Sequence, residues 1–164
     1  MIRCGEPLPR VFHEHPDAKG LLAECDIGIL GPTGHVGRLR VKALFFDTQA
    51  NRRRFGRALG CDWSGLAAVN DLGFTVEKID KRGNTIKRTR HCDPRYACIM
   101  AFSRRHLSME IICHESVHAA DFIAKRSTTK WPGQDECPAE AICYPAGRIA
   151  AAINRFAHDN GLYA

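Results

Sequence analysis

Apolar and polar positions change rhythm once along the chain, from a period near two to a period near 3.6, and the change falls at Leu107. Before it, Arg40 to Phe46 reads as a buried strand. Asp47 or Thr48 then caps a short predicted helix over roughly residues 49–59, closed by Gly60. Phe74 to Asp80 alternates, Lys81-Arg82-Gly83-Asn84 makes a turn, and Thr85 to Arg90 alternates again. This pattern predicts a β-hairpin with one face on the core. Tyr96 to Phe102 is a further, more apolar strand.

From Leu107 to Ala124 the apolar residues recur at helical spacing, with Ser108 as a candidate cap. The predicted helix is apolar on most sides, so the expectation is that it is largely buried. Ser127 to Gln134 reads as a polar loop. A second helix is predicted from Cys137-Pro138 toward His158, kinked or interrupted by Pro145 and Gly147. Strands followed by two helices predict an α+β fold, with the helices on one side of a small mixed or antiparallel sheet. Residues 1–37, rich in glycine and proline, read as a loop-rich leader packed on a single domain over 38–164.

Composition adds limits. Hydrophobic residues make up 45% of the 164-residue chain, the range of a globular domain. No apolar run approaches the roughly 18–20 residues that would span a bilayer. The N-terminus lacks the apolar core of a signal peptide, so a cytoplasmic protein without membrane contact is expected. The net charge is +6. Basic residues gather at Arg52-Arg53-Arg54 with Arg57, at Lys81-Arg82, at Lys87-Arg88 with Arg90, and at Arg104-Arg105. They read as solvated surface, with nucleic acid as a less favoured partner, since no nucleic-acid motif accompanies them. None of the eight cysteines forms a CxxC pair, and free buried thiols are expected.

The chemistry concentrates in the first long helix, which carries His114-Glu115-Ser116-Val117-His118, an HExxH motif. Residues four apart on a helix share a face, so both imidazoles can reach one zinc ion. Glu115 sits one step round, where a carboxylate can take the proton of a water activated by the metal. One Zn2+ per chain is expected, with a third protein ligand. A histidine six residues after His118 would mark the metzincin pattern; that position is Ala124. The alternatives are Glu140, near the start of the next predicted helix, and Glu136, which precedes that helix and is less rigidly placed. Glu140 is favoured. Asp121 can orient a ligand imidazole from the neighbouring turn.

His114 to Ala120, followed by Glu140-Ala141-Ile142-Cys143-Tyr144, resembles the gluzincin arrangement. There a glutamate on the following helix completes the zinc site. More narrowly, the chain is similar to small uncharacterised HExxH metallopeptidases encoded by bacteriophages and prophages, which would place it in the host cytoplasm. The resemblance covers residues 95–150 and implies a zincin-like fold, a zinc metallopeptidase activity and a peptide or protein substrate. It also implies that the strand Tyr96 to Phe102 forms the sheet's edge and pairs with substrate, with Tyr96, Cys98 and Met100 as substrate-binding residues. Tyr144, one turn after Glu140, would face the site and act in catalysis. The sequence departs from gluzincins at Tyr144, where they commonly carry an aspartate, and at Pro145. The basic clusters and His118-Ala119-Ala120 also resemble SprT-like metalloproteases, the alternative reading of a nucleic-acid-associated zinc protein. A silent zincin serving as a virion component is a further alternative, which the retained Glu115 disfavours.

Overall fold

The computed structural model describes residues 12–30, 36–71, 73–79, 85–92, 95–126, 135 and 137–164, with the backbone alone at 30, 36–39, 71, 73–79 and 85–92. Among them run β1 (Leu21–Leu30), β2 (Val36–Phe46), α1 (Gln49–Ala58), β3 (Ala68–Asp71), β4 (Gly73–Ile79), β5 (Thr85–Cys92), β6 (Tyr96–Ser103), α2 (Met109–Arg126) and α3 (Glu140–Asp159). The fold is α+β. Four strands form one mixed sheet in the order β1-β2-β6-β3; β4 and β5 form the expected antiparallel hairpin as a separate pair. The hairpin's turn and the loop expected over 127–134 lie outside the described residues.

β6 is the strand that the sequence reading misplaced. It runs parallel to β2 on one side and antiparallel to β3 on the other, so it lies inside the sheet. Its backbone is committed to both neighbours from Cys98 to Ala101. All eight residues are buried, as a strand covered on both faces requires. The edge on that side is β3, too short to stand out in a periodicity scan.

The two faces separate cleanly. Val41, Ala43 and Phe45 of β2 join Cys98, Met100 and Phe102 of β6 beneath α2 and α3. Leu44 and Phe46 join Ile99 and Ala101 on the opposite face, with Phe55 of α1, Trp63 and Phe12. Helices therefore cover both faces of the sheet, which corrects the one-sided arrangement expected from the order of elements. The loop-rich leader is corrected too. β1 lies within it, and Ile27 and Ile29 alternate into the core beneath α3.

α2 begins where expected; the Ile111 amide donates to Ser108 Oγ at 3.3 Å. It is less buried than its composition implied. Ile112, Ser116, Ala119, Ala120 and Ile123 form one inward stripe, while Cys113, His114, Val117 and His118 are exposed. α3 is a single helix through Pro145 and Gly147. Its inward residues Ala141, Pro145, Ala146, Ile149, Ala150, Ile153 and Ala157 fasten it on both sides of the proline. No helix among the described residues is long and apolar enough to cross a membrane.

Candidate metal centre

The side chains of His114 and His118 stand one turn apart on the face of α2 that points away from the sheet. Their Nε2 atoms approach to 3.3 Å, with ring centroids 4.9 Å apart and ring planes at 73°. Two Zn–N bonds of about 2.0–2.1 Å that meet at the tetrahedral angle place their nitrogens about 3.3–3.4 Å apart. The pair therefore fits two corners of a zinc coordination sphere, and helix backbone rather than flexible loop sets the spacing.

Glu115 is half-buried, on the flank between the histidine face and the inward stripe. α2 touches the sheet at β6 and at the edge strand β3. Ser116, next along, is buried and donates its hydroxyl to the Ile112 carbonyl at 2.7 Å, so it serves the helix itself.

The remaining predicted site residues are scattered. Asp121 pairs through one carboxylate oxygen with Lys125 one turn on. Glu140 is the first residue of α3 and half-buried; the helix is capped at Ala139 without a side-chain bond. No group of three His, Cys, Asp or Glu placed to hold a metal occurs among the described residues, so Glu140 does not join the two histidines there. Glu136 lies outside the described residues. Tyr144 is 44% exposed on α3. Tyr96, Cys98 and Met100 are buried; Tyr96 donates its hydroxyl to Asp26 at 3.2 Å, and Cys98 and Met100 belong to the core. They cannot line a cleft, because β6 is not the edge. Of the six free cysteines among the described residues, Cys98 is buried, but Cys113, Cys137 and Cys143 are exposed, against the expectation of buried thiols.

Arg52 was missed. The run Arg52-Arg53-Arg54 reads as a uniform basic surface, yet Arg52 is fully buried and donates to the carbonyls of Trp63 and Gly65. Arg53 donates to Ser64 and Gln49 to Gly65, so α1 clamps the segment that leads into β3. The available signal was spacing: Arg52, Phe55 and Gly56 share the inward face of α1.

No family model and no solved structure matches the chain. Among curated proteins it is 28% identical over 104 residues to the soluble pyridine nucleotide transhydrogenases of Mycobacterium bovis (strain BCG / Pasteur 1173P2) and Mycobacterium tuberculosis (strain ATCC 25177 / H37Ra). The aligned part is 63% of this chain and 21% of those proteins, so the chain spans about a fifth of the length of the curated relatives it matches.

Proposed function

We propose that this chain is a zinc-dependent hydrolase of the peptidase type. The observation that carries the reading is the 3.3 Å separation of the His114 and His118 Nε2 atoms, the span of two corners of a tetrahedral zinc site. A third ligand would have to come from Glu140 in the first turn of α3, which would need to close on the histidines as zinc binds, or from Glu136 before it. When bound, zinc acts as a Lewis acid and lowers the pKa of a water to about 7. Glu115 takes the proton of the attacking water and hands it to the leaving amine. An extended peptide adds to the outer edge of β3, which α2 lies beside. This moves the substrate strand from β6, where the resemblance placed it, to a strand that is paired on one side only among the described residues.

The test is digestion of unstructured peptides by the zinc-loaded protein, followed by mass spectrometry. Cleavage is expected, reduced by about 10²-fold or more in Glu115→Gln. An inert zinc-loaded protein, or equal cleavage by Glu115→Gln, would overturn the reading.

A second reading, nucleic-acid binding, has one observation in its favour. α1 and the segment Arg104–His106 leave the same end of the parallel strands β2 and β6, and Arg104 and Arg105 are exposed there. It predicts affinity for DNA that falls steeply with salt. The likeness to transhydrogenases suggests nucleotide binding, but the described connections do not favour it. A dinucleotide turn joins strand to helix through glycines. β1 leads instead to antiparallel β2, and neither Asp47-Thr48 before α1 nor Arg104–Ser108 before α2 contains a glycine.

A further inference from the structure

Among the described residues three buried side-chain atoms lack a hydrogen-bond partner: Nε and Nη1 of Arg52 and Oγ of Ser103. All three can donate, and both residues are at most 1% exposed. Burying a donor without an acceptor is costly, most of all on a cation. Nη2 of Arg52 is satisfied by the carbonyls of Trp63, at 3.1 Å, and Gly65. Burial pushes the Arg52 pKa down to about 10 and Arg53 adds to the fall, with Glu115 acting the other way.

The topology gathers these donors at one end of the sheet. β2 and β6 are neighbouring parallel strands that end together, Phe46 beside Ser103. From there the chain leaves for opposite faces, into α1 on the Phe46 side and into α2 on the Phe102 side. Such a switch point opens a crevice beyond the carboxyl ends of the strands, with the helix N-termini turned toward it. Arg52 lies one turn into α1, on its inward face. Ser103 follows Ile99 and Ala101 on the sheet face that α1 covers. Ala101 pairs with Ala68, so continuing the β3–β6 register carries Ser103 toward Leu66 and Gly65, the residue on which Arg52 is anchored. Gln49 and Arg53 close the surface above with exposed bonds to the Gly65 and Ser64 carbonyls. Arg104 and Arg105, next along the chain from Ser103, are exposed at the rim. We propose that this crevice is a phosphate site: the oxyanion accepts from Ser103 Oγ and from Nε and Nη1 of Arg52, and Arg104 and Arg105 draw it in. A phosphate group presents three acceptor oxygens, which suits donors that come from two elements. Gln49 and Arg53 swing aside on their own torsions to admit it. The ligand is free phosphate or the phosphate of a small monoester, and its binding needs no zinc.

The experiment is thermal unfolding of the full chain in chelator, titrated with sodium phosphate or phenyl phosphate against sodium chloride of equal ionic strength. At about ten times its dissociation constant, phosphate should raise Tm by about 3–6 °C. In chloride, Ser103→Ala should melt within about 1 °C of the wild type or above it, because it removes an unpaired hydroxyl, and it should bind phosphate about tenfold or more weakly. Arg104→Gln/Arg105→Gln should weaken binding by less than about fivefold. No gain over chloride, or unchanged affinity in Ser103→Ala, overturns the proposal. So does loss of all binding in Arg104→Gln/Arg105→Gln, which would leave an ordinary surface site. A Ser103→Ala melt in chloride more than about 3 °C below the wild type also overturns it, since the hydroxyl would then serve a buried water alone. Tighter binding of phenyl phosphate than of phosphate assigns the site to a monoester; the reverse assigns it to the free ion. Failure to bind zinc would sink the hydrolase reading and leave these melts untouched.

Discussion

His114 and His118 owe their convergence to helix geometry: a spacing of four residues brings two imidazoles over one turn. That part of the site was legible in the sequence, because the motif is local and the helix around it strongly periodic. Which way the pair faces was not legible. A count of apolar residues around α2 suggested burial on most sides, but Met109 and Val117 are about half exposed, and the inward stripe is narrow. Arg52 shows the converse failure, a charge read as surface that packs inside. Two outcomes follow at this scale. Glu115→Gln should keep zinc, since its carboxylate is outside the ligand set, whereas Glu140→Ala should weaken binding if α3 supplies the third donor. Equilibrium dialysis with zinc decides both; full retention in Glu140→Ala shifts the assignment to Glu136. Gly56 offers an independent check on packing. An added Cβ would meet the Trp63 ring at 2.6 Å, so Gly56→Ala should cost about 1–3 kcal/mol in chemical denaturation.

Elements were more legible than their neighbours. β2, α1, the β4–β5 hairpin, β6, α2 and α3 all fall close to where periodicity put them. β1 escaped because glycines and prolines before and after it outweighed the alternation of Ala23, Cys25, Ile27 and Ile29. β3 escaped because Ala68-Val69-Asn70-Asp71 is too short to carry a pattern. Losing β3 made β6 look like an edge, and that single error moved three predicted substrate residues into the core. α3 held through Pro145 because side-chain burial on both sides outweighs one lost backbone bond. Ile153 lies on that stripe with no exposed surface. Ile153→Ala should cost about 2–5 kcal/mol, read by urea unfolding; a loss below about 1 kcal/mol would mean α3 is not fastened as described. Thr48 Oγ1 accepts the Asn51 amide at 3.3 Å, so Thr48→Ala should cost about 1 kcal/mol by the same measurement.

For the molecule as a whole, pH links burial to stability. Burial pushes the Cys98 thiol up to about 12, and burial with Asp26 beside it does the same for Cys25. Unfolded thiols ionise near their ordinary 9.0, so the unfolded chain sheds these protons first. Stability held by the two thiols is complete below about pH 9 and lost as pH climbs toward their folded values. Lys42 works in the same sense. Its burial lowers the pKa, but Asp26 and Glu24 outweigh that and raise it, so its contribution fades as alkali strips its proton. Tm should fall between about pH 9 and 11, and more gently in Cys25→Ala/Cys98→Ala; an identical slope would contradict the assignment.

The whole account turns on whether the solvent-facing pair on α2 holds a metal. Calorimetric titration of the chelator-stripped chain with zinc, beside His114→Ala and His118→Ala, measures this most directly. The account predicts about one zinc per chain in the wild type, with binding lost or strongly weakened in both variants. A wild-type chain that takes up no zinc, or two histidine variants that bind it as the wild type does, would contradict it.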